Sequence, residues 1–429
     1  MKVDVIAGLQ WGDEGKGKVV DVFAARYDVI ARFQGGPNAG HTLEFEGKKH
    51  VLHTIPSGIF HRDKINLIGN GVIIDPRILV AELRKLDPHG VDYHNNLFIA
   101  RRAHLILPTH RLLDACYEQQ KGDAKIGSTL KGIGPAYTDK TARNGLRVGD
   151  LESRSFMQRY ENLREYHLLL IEAMGSDPKE FTIEGLTMEA YEMQWLQSAE
   201  ELKGLNLVDG EFFINDLIRK GKRVLAEGAQ GTMLDVDFGS YPFVTSSNTI
   251  TAGVCTGLGI APQLIGEVYG VFKAYCTRVG SGPFPTELHD ETGELLRKNG
   301  NEYGSTTGRP RRCGWIDLPA LKYACMLNGV TQLVMTKADV MNDFPVIRLC
   351  HTYELDGEPI NRWGFFCDYG KPEPRYREVD GWLLNLGNIT SSDNIPPTLS
   401  RYTGIITRET GVPVTFVSTG PDRSQIIAL

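Results

Sequence analysis

The sequence predicts an α/β protein with one large, mainly parallel central sheet flanked by helices and interrupted by helical and small β insertions. Three observations lead there. Short β-branched runs recur at Val3 to Ala7, Arg223 to Ala226, Glu267 to Tyr275, Gln332 to Met335 and Pro413 to Val417, each ending at glycine or a functional polar residue, as buried strands do. Helix-length segments separate them, and such alternation implies parallel strands joined by helical crossovers. The unusual residues, Gly12 to Lys18, Glu227 to Gln230, Thr277 to Gly282, Lys337 to Asp339 and Ser418 to Gly420, all follow a predicted strand, at the carboxyl ends where open α/β sheets bind ligands.

Taken in order, Val3 to Ala7 is the first strand, and Val29 to Ala31 is a second apolar run leading into glycines. From Leu151 to Gly204 charged residues interleave with Met, Leu and aromatics, the pattern of helices packed against the sheet. Asp317 to Asn328 reads as a helix with Asp317 as N-cap, Pro319 in the first turn and Gly329 as its stop. No Ser/Pro-rich linker, low-complexity tract or repeat appears, so residues 1–429 read as one domain with a helical insertion at roughly 103–204.

Composition narrows the function. With 47 basic and 53 acidic residues the net charge is -6, which argues against an extended phosphate-tracking surface for nucleic acid; any anion site must be local. The 7 cysteines are scattered without a C-x-x-C pair, fitting a reducing compartment and no structural zinc. The start of the chain turns polar too soon for a secretory signal, and no apolar run is long enough to span a bilayer, so the expected location is the cytoplasm.

The first strand runs into Gly12-Asp13-Glu14-Gly15-Lys16-Gly17-Lys18, where G-x-x-x-x-G-K has the spacing of a phosphate loop and makes the sheet P-loop NTPase-like. Glycines let backbone N–H groups converge on phosphate oxygens, and the helix N-terminus and two lysines favour negative charge. Val19 occupies the position where such loops carry a Mg²⁺-binding hydroxyl, leaving Asp13 as the candidate metal ligand. The alternative is a glycine-rich turn that binds nothing. A second cluster, Gly35-Gly36-Pro37-Asn38-Ala39-Gly40-His41-Thr42, offers the Asn38 amide and a His41 donor. Taken alone, such a histidine is more often a structural hydrogen-bond partner.

These two blocks resemble the adenylosuccinate synthetase family, and so do Lys131 to Tyr137, Glu227 to Gly231, Tyr241 to Thr249, Val279 to Glu287, Thr306 to Arg309 and Ser418 to Arg423, in order over essentially the whole chain. The resemblance implies a GTP-dependent ligase that converts IMP and L-aspartate to adenylosuccinate with release of GDP and phosphate, the first committed step from IMP to AMP. It places GTP on Gly12, Glu14, Gly15, Lys16, Gly17, Lys18, Gly40, His41 and Thr42, with Arg311 reaching the donor. Thr336-Lys337-Ala338-Asp339 resembles the guanine-reading motif of GTP-binding proteins: a carboxylate accepts from guanine N1–H and the exocyclic amine together, and adenine would leave it unpaired. Ser418, Thr419 and Gly420 complete that pocket.

For IMP the family pattern carries onto Asp13, Asn38, Thr129, Arg143, Gln230, Thr245 and Arg309, with Arg143 supplied across the interface of a homodimer. For L-aspartate it carries onto Ser305, Thr306, Thr307, Gly308, Arg309 and Arg311. Mg²⁺ falls to Asp13 and Gly40, and catalysis to Asp13 and His41 supported by Lys16 and Gln230. Two positions depart from the pattern: Pro310 interrupts what is often a run of arginines, and Leu130 stands where a small residue is usual. In the implied mechanism Asp13 takes the N1 proton of IMP, O6 attacks the γ-phosphorus, and the aspartate amine then displaces phosphate from C6. The competing readings are a regulatory GTPase switch, a nucleotide-binding protein without catalysis, and a relative acting on another purine monophosphate.

Overall fold

The computed structural model describes residues 2–38, 40–45, 47–122, 125–304, 308–368 and 372–429. Ten strands form the central sheet: β1 (Val3–Gly8), β2 (Val29–Arg32), β3 (Ile65–Ile68), β4 (Leu97–Ala100), β5 (Asn206–Val208), β6 (Val224–Glu227), β7 (Ile265–Lys273), β8 (Gln332–Thr336), β9 (Val414–Ser418) and β10 (Ile426–Ala428). Their spatial order is β10-β9-β8-β7-β1-β6-β2-β3-β4-β5, and every pairing is parallel except β9 with β10. β1 lies in the middle with Val3, Val5, Ile6 and Ala7 fully buried, as expected of a parallel strand covered on both faces. Its register, Ile6 opposite Glu227 and Gly8 opposite Val271, brings the ends of β1, β6 and β7 to one edge.

Helix α1 (Lys16–Ala24) follows β1 and covers one face, where Val19, Val20 and Phe23 pack with Ile6, Val271 and Phe416. A hairpin, His41–Phe45 with Lys48–Leu52, folds over α1. Between β4 and β5 the chain is mostly helical: α2 (Pro108–Gln120), α3 (Ile133–Ala142), α4 (Phe156–Ala173) and α5 (Met188–Leu202). The stretch expected to be helical from Leu151 to Gly204 is broken at residues 174–187, where Gly175 and Gly185 take positive φ and Asp177 caps a short turn begun by Pro178. Helices α2, α4 and α5 share a second core built around Tyr160, Tyr191 and Trp195, so they pack largely on one another as well as on the sheet edge at Leu97, Ile99 and Leu207, whereas α3 packs through Ile133, Ala136 and Tyr137 with Ile73 and Ile106.

After β7 come α6 (Glu291–Gly300) and α7 (Leu318–Asn328). Helix α7 has the expected ends: Asp317 accepts from Ala320 N at 3.0 Å, and Gly329 closes it at φ +59°. The small β insertion is a second sheet of Ile316–Asp317, Val346–Leu355, Glu358–Ile360 and Glu373–Asp380.

Candidate active site

The phosphate loop is shaped from behind. Glu14 is fully buried, accepts from Gln10 N at 3.0 Å and Gly12 N at 2.9 Å, and pairs with Lys16 Nζ at 2.5 Å. Its carboxylate folds the loop and aims Lys16, whereas Gly12, Asp13, Gly15, Lys16 and Gly17 line the cavity in front. Gly15 caps α1 at φ +87°, a conformation L side chains resist. At Gly17 a Cβ would lie 2.8 Å from the His41 Cβ, so only glycine lets the hairpin close over the loop.

His41 is held on its inner side. Its Nδ1 lies 2.5 Å from Glu227 Oε1, and Glu227 also accepts from Ser57 Oγ at 2.7 Å and Ser57 N at 2.8 Å. Burial and then the Arg32 guanidinium lower the His41 pKa, with Glu227 opposing them. Burial alone would raise Glu227, but His41, Arg32 and Ser57 hold it below the usual carboxylate range. The neutral ring therefore donates from Nδ1, while Nε2 is buried without a partner. Gln230, at φ +55°, reaches Asn38 Oδ1 at 3.3 Å, and its own Oε1 is also buried and unpartnered. Buried polar groups are ordinarily satisfied, so two such atoms on one cavity mark where ligand atoms belong.

Arg311 bridges two acids: Nε donates to Asp13 Oδ2 at 2.8 Å and Nη1 to Glu302 Oε2 at 2.6 Å. Burial works against its charge, but Asp13 and Glu302 outweigh that and raise its pKa. Arg309 Nη2 donates to Gly127 O at 3.3 Å, beside Thr129 on the cavity wall.

At the base end, Lys337 takes φ +59° and donates to Gly300 O at 2.7 Å, turning Asp339 into the cavity. Burial raises the Asp339 pKa against the opposing pull of Lys337. Lys18 lines the cavity and donates to Ser418 Oγ at 2.8 Å, Gly420 O at 2.6 Å and Gln425 O at 2.9 Å. It ties α1 to the loop after β9, and desolvation lowers it to about 8.

These residues converge on one cavity of about 820 Å³, which Gly40, Thr42, Thr245, Ser418 and Gly420 also line. Glu14, Ala338 and Thr419 lie behind its wall. Gly308 is exposed at φ +66°, and Arg143 caps α3 at φ +69° on the surface, outside this chain's cavity. Ser305, Thr306 and Thr307 lie outside the described residues. Sequence reasoning missed Glu302 and Lys273 and, although it marked the block Glu227 to Gln230, gave Glu227 no role; the ionisable partners that define these residues lie 9 to 186 residues away. Among the described residues one His/Asp group, His110, Asp139 and His167, has three ligand-type atoms within 4.8 Å. Both histidines bond Asp139 at 2.8 Å, and their other ring nitrogens meet Leu107 N and Thr109 Oγ1, so the group is a satisfied network behind the cavity wall.

A glycine loop that carries two lysines and the cavity-lining Asp13 after the central parallel strand, with a K-x-D turn at the same edge, defines a phosphate-loop nucleotide-dependent enzyme. The family model for adenylosuccinate synthetase matches residues 5–427. The chain is 56% identical over 427 residues to the adenylosuccinate synthetase of Christiangramia forsetii, covering 100% of both, and 57% identical over 427 residues to that of Phocaeicola vulgatus, covering 100% and 99%. Its fold superposes on the fully ligated adenylosuccinate synthetase of Plasmodium falciparum with a TM-score of 0.89 at 34% identity, covering 100% of both chains. A cyanophage succinoaminodeoxyadenylate synthetase shares the fold with a TM-score of 0.63 at 22% identity, covering 100% of this chain and 95% of its own. The chain belongs to the adenylosuccinate synthetase family, GTP-dependent ligases that join IMP and L-aspartate in AMP synthesis.

Proposed function

We propose that this protein converts IMP, L-aspartate and GTP to adenylosuccinate, GDP and phosphate through 6-phosphoryl-IMP, with Asp13 as the base. The N1 proton of IMP passes to Asp13 as O6 bonds to the γ-phosphorus and the bond to the β–γ bridging oxygen breaks, releasing GDP. The neutral aspartate amine then bonds to C6, the C6–O6 bond breaks, and phosphate leaves, taking up the proton that the amine nitrogen gives up. The observation that carries this reading is the juxtaposition on one cavity of Asp13 with the unpartnered His41 Nε2 and Gln230 Oε1. An anionic γ-phosphate at Nε2 would favour the imidazolium, converting His41 to a donor on the transferred group, beside Lys16. Gln230 Oε1 suits a donor on the purine, and Asn38, Thr129, Thr245 and Arg309 line the IMP region.

Mg²⁺ fits the residues present. The Asp13 carboxylate is 32% exposed to the cavity that the Gly40 backbone also lines, an all-oxygen donor pair suited to a hard cation. When bound, the ion would supply charge neutralisation at the nucleotide phosphates. The exposed, left-handed Arg143 suits contribution to a neighbouring subunit's IMP site in a homodimer, with Gly308 and the adjoining segment serving L-aspartate. No described helix is long and apolar enough to cross a membrane, and free cysteines throughout suit a cytoplasmic enzyme. The test is Asp13→Asn: the folded variant should lose turnover by about a hundredfold or more, the scale of one general base. Near-parental phosphate release in that variant would remove Asp13 from the scheme.

A further inference from the structure

Glu302 belongs to none of the blocks that meet ligand, yet it is fully buried and its carboxylate gathers three cationic side chains and one hydroxyl. Its two oxygens face different ways. Oε1 accepts from Lys273 Nζ at 2.9 Å and from the Tyr275 hydroxyl, with Lys337 Nζ 3.7 Å away. Oε2 accepts from Arg311 Nη1 at 2.6 Å. Lys273 is itself fully buried and spends a second N–H on Thr277 Oγ1 at 2.7 Å. A carboxylate buried only to neutralise Lys273 would need nothing more. This one also takes Arg311 and approaches Lys337, whose side chains are 10% and 34% exposed on the cavity wall.

Arg311 presents different nitrogens to its two acids, Nη1 to Glu302 and Nε to Asp13. Glu302 therefore fixes one end of the guanidinium while the other can leave Asp13 when substrate arrives. Without Glu302, the fork has Asp13 as its one remaining acid partner among the described residues and closes on it. Lys337 would lose the anion that draws it toward the Gly300 carbonyl, and with it the turn that aims Asp339.

We infer that Glu302 is a positioning residue that sets Arg311 and Lys337 from a single buried carboxylate, so that the guanine-reading turn and the phosphoryl-transfer acid are held in register. The inference rests on the roles proposed above for Asp13 and Arg311.

The test compares Lys273→Met with Lys273→Met/Glu302→Gln, because Glu302→Gln alone strands a buried ammonium. Steady-state constants are measured with GTP and with inosine triphosphate, which lacks the exocyclic amine. In Lys273→Met the carboxylate keeps Arg311 and Lys337, so kcat and the preference for GTP should stay within about threefold of the parent. In the charge-balanced double variant both should fall by about tenfold or more, with KM for GTP raised. A purely structural Lys273–Glu302 pair predicts the opposite order, since the double variant restores neutrality. A double variant equal to or better than Lys273→Met overturns the inference, and if Lys273→Met fails to fold, a double variant within about threefold of the parent does so. Asp13→Asn runs alongside: activity there defeats the proposed mechanism, whereas an inactive Asp13→Asn with an unimpaired double variant defeats the Glu302 inference alone.

Discussion

Lys18→Met tests whether the second lysine of the phosphate loop works on the base rather than on phosphate. In the structure Lys18 is 8% exposed, and its ammonium makes three hydrogen bonds of 2.6 to 2.9 Å to Ser418, Gly420 and Gln425. Bonds from a charged donor contribute about 1.5–3 kcal/mol each. Against them stands the burial that lowers Lys18 to about 8, a cost of about 3 kcal/mol for keeping the charge. Methionine fills the space, removes that cost and takes a charged donor away from each of the three acceptors. The loop keeps its own bonds, Ser418 Oγ to Gly420 O at 3.0 Å and Thr419 N to Gln425 O at 3.1 Å, so it loosens without unfolding. A net loss of about 2 kcal/mol in nucleotide binding follows, which is about thirtyfold in KM for GTP. The assay is steady-state phosphate release with GTP varied at saturating IMP and aspartate, with thermal unfolding as the check on folding. A KM for GTP within about twofold of the parent would refute the reasoning, and so would a large fall in kcat at unchanged KM, which would return Lys18 to the phosphates.

Raising the pH should lower kcat/KM for GTP through about 8, because a neutral Lys18 has two N–H groups for three acceptors; Lys18→Arg should flatten that limb. The depressed folded pKa makes stability rise with pH between about 8 and 10.5, since the unfolded chain binds the extra proton, so unfolding cannot imitate the effect. Asp339→Asn should cut kcat/KM for GTP by about a hundredfold and improve use of xanthosine triphosphate, whose 2-oxo group accepts from the new amide; unchanged preference in competition assays would unseat Asp339 as the base reader. Glu227→Gln should lower kcat by about a hundredfold with KM for GTP little moved, because the amide no longer stabilises the protonated His41 ring; a change confined to KM would contradict this.

The fold and most of the residues that line the cavity are legible in the chain alone because both are local. Strands such as Val3–Gly8 carry their β-branched pattern within six residues, helix α7 carries its own cap and stop, and the phosphate loop and K-x-D turn act through backbone conformations that neighbouring residues dictate. The break at residues 174–187 has a local cause as well, since Gly175, Pro178 and Gly185 favour turns within otherwise helical composition. Direction of side chains was decided elsewhere. Lys18 turns to a loop 400 residues on, Glu227 meets His41 across 186 residues, and Glu302 gathers Lys273, Arg311 and Lys337 from three separate segments. A buried charge must find its counter-charge wherever the fold brings one, and that partner is chosen by the packing of the whole sheet rather than by adjacent sequence.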